Sequence, residues 1–186
     1  MRILLIGYGK MGKTIEELAQ AKGHQIVGRI SQHSAAKLTD FNACNTDVAI
    51  EFTHPEAAFA NIAYCLEQQI PVVSGSTGWQ QRFAEISGHC EKNNGSFFYA
   101  SNFSIGVNLF FHFNEYIAAR MHQYAEYGVA IKEIHHLQKI DKPSGTAITT
   151  AEGILKSYPN LETWALDGSA AANELPILSE RTENVI

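Results

Sequence analysis

The chain has 186 residues, 45% of them hydrophobic and 18% charged, with a formal net charge of −5. This suits one ordinary domain or two small ones with a buried core, and it lends no global support to nucleic-acid binding. No apolar run approaches the ~20 residues of a membrane span, and the Arg2–Ile6 run breaks at Gly7, too early for the core of a signal peptide, so neither nucleic acid nor membrane is an expected partner.

The first hundred residues alternate strands and helices. Arg2–Ile6 reads as an apolar strand, and Met11–Ala21 as a helix with Ile15 and Leu18 on one face. Gln25–Ile30 is a second strand; residues 31–46 are polar and weakly patterned. Asp47–Phe52 reads as a buried strand. Pro55 opens a helix whose apolar face holds Ala58, Ile62, Cys65 and Leu66. Pro71–Ser74 is a short strand, Gly75–Gly78 a turn, Trp79–Lys92 a helix and Ser96–Tyr99 a strand. This order predicts a parallel sheet with helices on both faces. After Asn102 the pattern changes: a long helix with a heavily apolar face over Val107–Met121, a strand over Tyr127–Leu137, a helix over Gly145–Ser157 and a short strand over Glu174–Leu178. The fold class expected is α/β, a Rossmann-type parallel-sheet domain over 1–101 followed by an α+β substrate-binding domain over 102–186.

Gly7-Tyr8-Gly9-Lys10-Met11-Gly12 is a G-x-G-x-x-G loop between a strand and a helix, the setting in which it binds a dinucleotide. Gly7 permits the tight turn, Gly9 lets a pyrophosphate approach the backbone, and Gly12 lets helix and strand pack closely. An acidic residue after the second strand would hold the ribose 2′-hydroxyl of NAD. Here the stretch is Arg29-Ile30-Ser31-Gln32-His33, with no carboxylate. Arg29 either meets a 2′-phosphate or points away, and both NADPH and NADH stay open as the cofactor.

Residues 133–146, Glu-Ile-His-His-Leu-Gln-Lys-Ile-Asp-Lys-Pro-Ser-Gly-Thr, carry the densest chemistry. His135 and His136 close a strand and should face opposite sides. Lys132, Lys139 and Lys142 outnumber Glu133 and Asp141, concentrating positive charge where a small anion could bind. Ser144-Gly145-Thr146 opens a helix whose first N–H groups can take a carboxylate. Histidine is the expected proton donor. Zinc ligation by the two histidines lacks a cysteine or acidic partner at suitable spacing, so no metal is expected.

The block Glu133-Ile134-His135-His136, Lys139 and Lys142-Pro143-Ser144-Gly145-Thr146-Ala147 closely resembles the signature of bacterial 4-hydroxy-tetrahydrodipicolinate reductase (dihydrodipicolinate reductase), of the diaminopimelate and lysine pathway. Gly7–Gly12 resembles its coenzyme loop, Glu51-Phe52-Thr53-His54-Pro55 its turn after the third strand, and Gly75-Ser76-Thr77-Gly78 its loop beside the nicotinamide. Ala100-Ser101-Asn102-Phe103-Ser104 with Gly106-Val107-Asn108 is similar to its interdomain crossing, and Pro176-Ile177 with Ser179-x-Arg181 to a strand of its substrate domain. The resemblance implies an NADPH- or NADH-dependent reduction of a small cyclic dicarboxylate, with hydride from the coenzyme and a proton from His135. Lys139 would assist in acid catalysis or hold a carboxylate. His136, Ser144, Gly145, Thr146 and Thr77 would bind substrate. Gly7, Tyr8, Gly9, Lys10, Met11 and Gly12, with Phe52, Thr53, Gly75, Ser76, Thr77, Ala100, Ser101, Asn102 and Phe103, would line the coenzyme. It further implies a hinge near Ser101–Phe103, a cytoplasmic location and, where the full-length chain is present, a homotetramer.

Three features depart from the family. Tyr8 and Lys10 stand where Ala or Gly and Arg are commoner, the ribose acid is absent, and the chain ends at Val185-Ile186 where the family continues, so the substrate domain is expected to be incomplete. Two alternatives follow: another two-domain nicotinamide enzyme, such as a semialdehyde or amino-acid dehydrogenase, or a non-catalytic dinucleotide-binding fragment. A semialdehyde dehydrogenase would need a nucleophilic cysteine. Cys44, Cys65 and Cys90 are scattered and form no Cys-x-x-Cys pair, as for thiols of a reducing cytoplasm.

Overall fold

The structure, a computed structural model, describes residues 1–168 and 170–183. The end at Val185–Ile186 lies outside the described residues. The chain divides into two compact units, Met1–Ala100 and Ser101–Ile186. Among the described residues no helix is long and apolar enough to cross a membrane.

The first unit runs β1 (Arg2–Ile6), α1 (Lys10–Ala21), β2 (Gln25–Ile30), β3 (Val48–Glu51), α2 (Pro55–Glu67), β4 (Val72–Ser74), α3 (Phe83–Lys92) and β5 (Phe97–Tyr99). The strands form one sheet in the order β2-β1-β3-β4-β5, every pair parallel. Both faces are covered, as a parallel sheet requires. Leu4, Ile6, Ala49 and Val72 pack with Ala58, Ile62, Leu66 and Ile86 on one side, and Ile3 and Leu5 with Ala19 on the other. The strand order reverses between β1 and β3, which places a topological switch point beyond their carboxyl ends.

One expected helix face and one expected helix start need correcting. Leu18 is exposed; α1 buries Gly12, Glu16 and Ala19 instead, because Glu16 carries its own partners. The helix expected from Trp79 starts only at Phe83, after a 3-10 turn over Gln80–Arg82. Trp79 itself is buried, its indole N–H donating to the Ser76 carbonyl at 2.7 Å.

The second unit comprises α4 (Ile105–Met121), β6 (Ile131–His136), α5 (Gly145–Leu155), β7 (Thr163–Leu166) and β8 (Glu174–Thr182). Its three strands pair in the order β6-β8-β7, again parallel. Leu175 and Ile177 of β8 pack against Ala147, Ala151 and Ile154 of α5. The β7 strand was not expected; β6 is shorter than the 127–137 span and β8 longer than 174–178. Much of the apolar face of α4 lies at the surface, Leu109, Phe110, Phe113, Tyr116 and Ile117 all being more than half exposed, while Ala118 is buried. Its contact with α5 uses small and polar groups. Asn114 donates to the Thr150 carbonyl at 3.1 Å, and a Cβ at Gly153 would lie 2.9 Å from Glu115 Cγ.

Candidate active site

At the switch point of the first unit the glycine loop is held by sterics. Gly7 has φ +95°, and a Cβ there would lie 1.9 Å from the Phe52 carbonyl oxygen. A Cβ at Gly12 would lie 2.3 Å from the Gly7 carbonyl oxygen. Gly9 faces open space, with nothing within 4 Å of its Cβ position, and α1 starts there without a side-chain cap. The loop thus presents unobstructed backbone and free helix-start N–H groups, which fits a pyrophosphate. Lys10 and Met11 are exposed beside it, and Tyr8 is half-buried.

The turn after β3 and the loop after β4 are joined by a carboxylate that sequence reasoning did not assign a role. Glu51 is fully buried. It accepts from Ser74 Oγ at 2.6 Å, Ser76 Oγ at 2.8 Å and the Thr53 N–H at 3.0 Å, as well as from the Thr53 hydroxyl. The Ser76 hydroxyl is therefore turned inward, where it also accepts from the Thr53 N–H at 2.7 Å. The Phe52 ring fills the space beside Gly75, where a Cβ would lie 2.2 Å from it. Thr77, next in the loop, is half-buried. Ala100 donates its N–H to the Ser74 carbonyl at 3.3 Å.

In the second unit Glu133 organises the histidine block. His135 and Glu133 share one face of β6, two residues apart, and His136 lies on the other, exposed face, bonding through Nδ1 to Gln138 Oε1 at 3.0 Å. His135 Nε2 lies 2.9 Å from Glu133 Oε2. Glu133 also accepts from the Ser144 N–H at 2.9 Å and from the Ser144 and Ser179 hydroxyls. Burial pushes the Glu133 carboxyl up, but these donors outweigh it and hold it down at about 2. One ionised carboxylate thereby binds the imidazole to the start of α5. Ser144 caps that helix, its Oγ accepting from the Ala147 N–H at 3.1 Å. Its side chain is buried and committed to the cap and to Glu133. The N–H groups of Gly145 and Thr146 precede the first intrahelical donor, that of Ile148.

The expected excess of positive charge is balanced by acids, two of which, Glu180 and Asp167, lie outside the 133–146 stretch. Lys132 pairs with Glu180 at 2.8 Å, Lys139 with Asp141 at 2.7 Å, and Lys142 with Asp167. Arg181, on β8 opposite His135, adds a cation with no place in the sequence-based site. Its guanidinium donates to the Lys139 carbonyl at 3.1 Å, to the Asp141 carbonyl and to Ser179 Oγ at 2.9 Å. It thus pins the loop that carries Lys139. Of the crossing residues, Ser101 Oγ lies 3.1 Å from Thr149 Oγ1, Asn102 Oδ1 accepts from the Ser104 N–H at 2.8 Å, and Phe103 is nearly half exposed. Burial pushes the Cys65 thiol up to about 12, which removes it as a nucleophile.

A glycine loop at the switch point of a parallel sheet, followed by a unit carrying an oriented imidazole, defines a two-unit nicotinamide-dependent oxidoreductase. Family models described as dihydrodipicolinate reductase, N-terminus and C-terminus, match residues 1–103 and 106–186. A 4-hydroxy-tetrahydrodipicolinate reductase of Christiangramia forsetii is 48% identical over 185 residues, 100% of this chain and 76% of that protein. One of Streptococcus uberis is 34% identical, covering 93% of this chain and 73% of that protein. Among solved structures, a dipicolinate-bound dihydrodipicolinate reductase from Paenisporosarcina sp. TG-14 superposes with a TM-score of 0.74 at 26% identity, covering 100% of this chain and 80% of that one. The chain belongs to the dihydrodipicolinate reductase family. Its chemistry is NAD(P)H-dependent reduction in lysine and diaminopimelate biosynthesis, and its first unit is the dinucleotide-binding domain.

Proposed function

We propose that the second unit binds 4-hydroxy-tetrahydrodipicolinate, or the dihydrodipicolinate derived from it, for reduction to tetrahydrodipicolinate, with His135 as the general acid. The observation that carries this reading is the Glu133 bridge. It fixes the imidazole through Nε2, leaves Nδ1 for proton transfer, and through the Ser144 N–H ties the same carboxylate to the start of α5. A nicotinamide coenzyme, when bound, would supply the hydride. The chain's own groups do the rest. The α5 start and Lys139 hold a ring carboxylate, Lys139 leaving Asp141 to do so, and His136 and Thr77 contribute further polar contacts. Orientation of this kind can contribute on the order of 7 kcal/mol to catalysis. The glycine loop, Phe52, Thr53 and the 75–77 and 100–103 segments line the coenzyme. The dicarboxylate class is supported by the dipicolinate bound to the Paenisporosarcina relative. We place the enzyme in the cytoplasm as a homotetramer.

The test is steady-state kinetics with enzymatically generated substrate. His135→Gln should lower kcat by at least about 100-fold with KM changed little, and Lys139→Ala should impair both. Unchanged turnover in His135→Gln would remove His135 from proton transfer.

A further inference from the structure

Arg29 sits next to the last residue of β2, opposite Leu5 of β1. In sheets of this kind the end of that strand reads the coenzyme's adenosine ribose, and an arginine there accommodates a 2′-phosphate. The guanidinium is already engaged, however. Arg29 Nε donates to Glu16 Oε2 at 2.9 Å while an NH2 group of the guanidinium meets Oε1, a bidentate pair. Glu16 is a buried carboxylate on the inner face of α1. It also accepts from the Tyr8 hydroxyl and from Gln20 Nε2 at 3.0 Å, and the guanidinium carbon lies 5.7 Å from the centre of the Tyr8 ring. The hydrogen bonds from Arg29 and then Tyr8 hold the Glu16 carboxyl down at about 2, and Glu16 in turn raises Arg29. The pair is therefore ionised at every working pH. A glycine-loop residue, an α1 carboxylate and a β2 cation thus form one closed network. Beyond the strand, Ser31, Gln32, His33 and Ser34 provide no carboxylate, and the Ser31 and Ser34 hydroxyls accept from local backbone N–H groups.

We propose that Glu16 is a specificity-determining residue of the coenzyme site: by holding Arg29 against α1 it withholds that guanidinium from the ribose 2′ position. A 2′-phosphate gains no bidentate partner from Arg29, and a free 2′-hydroxyl gains no carboxylate acceptor from residues 31–34. The wild-type chain accordingly takes NADH and NADPH alike. This rests on the coenzyme reading of the first unit.

The experiment measures dissociation constants of NADH and NADPH by calorimetry for the wild-type chain, Glu16→Gln and the double variant Glu16→Gln/Arg29→Ala. The wild-type constants should agree within about threefold. Glu16→Gln frees Arg29 and should shift the ratio toward NADPH by at least about tenfold, with a new salt dependence of NADPH binding alone. The double variant, which removes a net-neutral pair together and leaves no unpaired buried charge, should return to the wild-type ratio. An unchanged ratio in Glu16→Gln overturns the inference. So does a tenfold selective loss of NADPH in the double variant, which would mean that Arg29 reads the phosphate in the wild type; this arm stands even where the single variant does not fold. A folded wild-type chain that binds neither coenzyme overturns the coenzyme reading itself.

Discussion

Replacing Glu133 by Gln tests whether one carboxylate holds the histidine block together. Glu133 is 10% exposed at its side chain and is held at about 2 against an ordinary 4.5. A depression of that size corresponds to about 3 kcal/mol of stability at neutral pH. Because the folded-state value is the lower one, the contribution is complete above about pH 5. It fades as the pH falls toward 2, and roughly 1.5 kcal/mol survives at pH 3. Glutamine keeps the shape but presents an NH2 to donors that need an acceptor, and it cannot ionise. Urea titrations at pH 7 and pH 3, read by pulse-labelled hydrogen exchange of peptides within 131–136 and 145–155, should therefore show a wild-type advantage of about 3 kcal/mol that halves at the lower pH. Turnover should fall as well, since the imidazole loses the partner that sets its tautomer. A gap of equal size at both pH values would refute the electrostatic account and leave only a packing defect. A gap below about 0.5 kcal/mol at pH 7 would show that the bridge does not hold the site at all.

The glycine loop separates steric need from ligand need. Gly12→Ala places a methyl 2.3 Å from the Gly7 carbonyl oxygen and should destabilise the first unit by at least about 2 kcal/mol in a urea titration. Gly9→Ala meets nothing within 4 Å; it should cost under about 1 kcal/mol yet weaken coenzyme binding at least about tenfold by calorimetry, because the methyl occupies the space the pyrophosphate needs. Asp141→Asn releases Lys139 from its half-exposed ion pair. An exposed pair is worth about 1 kcal/mol or less, so the KM for the dicarboxylate should drop by no more than about fivefold at constant kcat. Arg181→Lys keeps the charge but gives up the fork that binds the carbonyls of Lys139 and Asp141. Hydrogen exchange across 137–143 should accelerate while that of 145–155 stays unchanged.

What the chain's order of residues reveals depends on the range of the interaction. The strands β1 and β2 could be bounded to the residue, because short apolar runs end in glycine or polar turns. The glycine loop was legible because its constraints lie within six residues and the adjoining strand. The pairing of Lys142 with Asp167 and of Lys132 with Glu180 was not, since no local pattern says which distant acid a parallel strand pairing will bring alongside. The strand β7 escaped for a related reason: Thr163–Leu166 is four residues long and becomes a strand only because β8 supplies a neighbour on that side. Glu133 and Glu51 are the most instructive omissions. Each stands inside a block singled out for its neighbours, and neither is given a role of its own by the sequence. The usable signal is an acidic residue at an inward-facing position of a strand, as in β3 and β6. Burying an unpartnered carboxylate costs several kcal/mol, so a fold that keeps one there must converge donors on it. In this chain the serines 144 and 179 converge on Glu133, and 74 and 76 on Glu51. An inward acid therefore marks the point where loops from separate elements are tied together, which is where a site needs rigidity most.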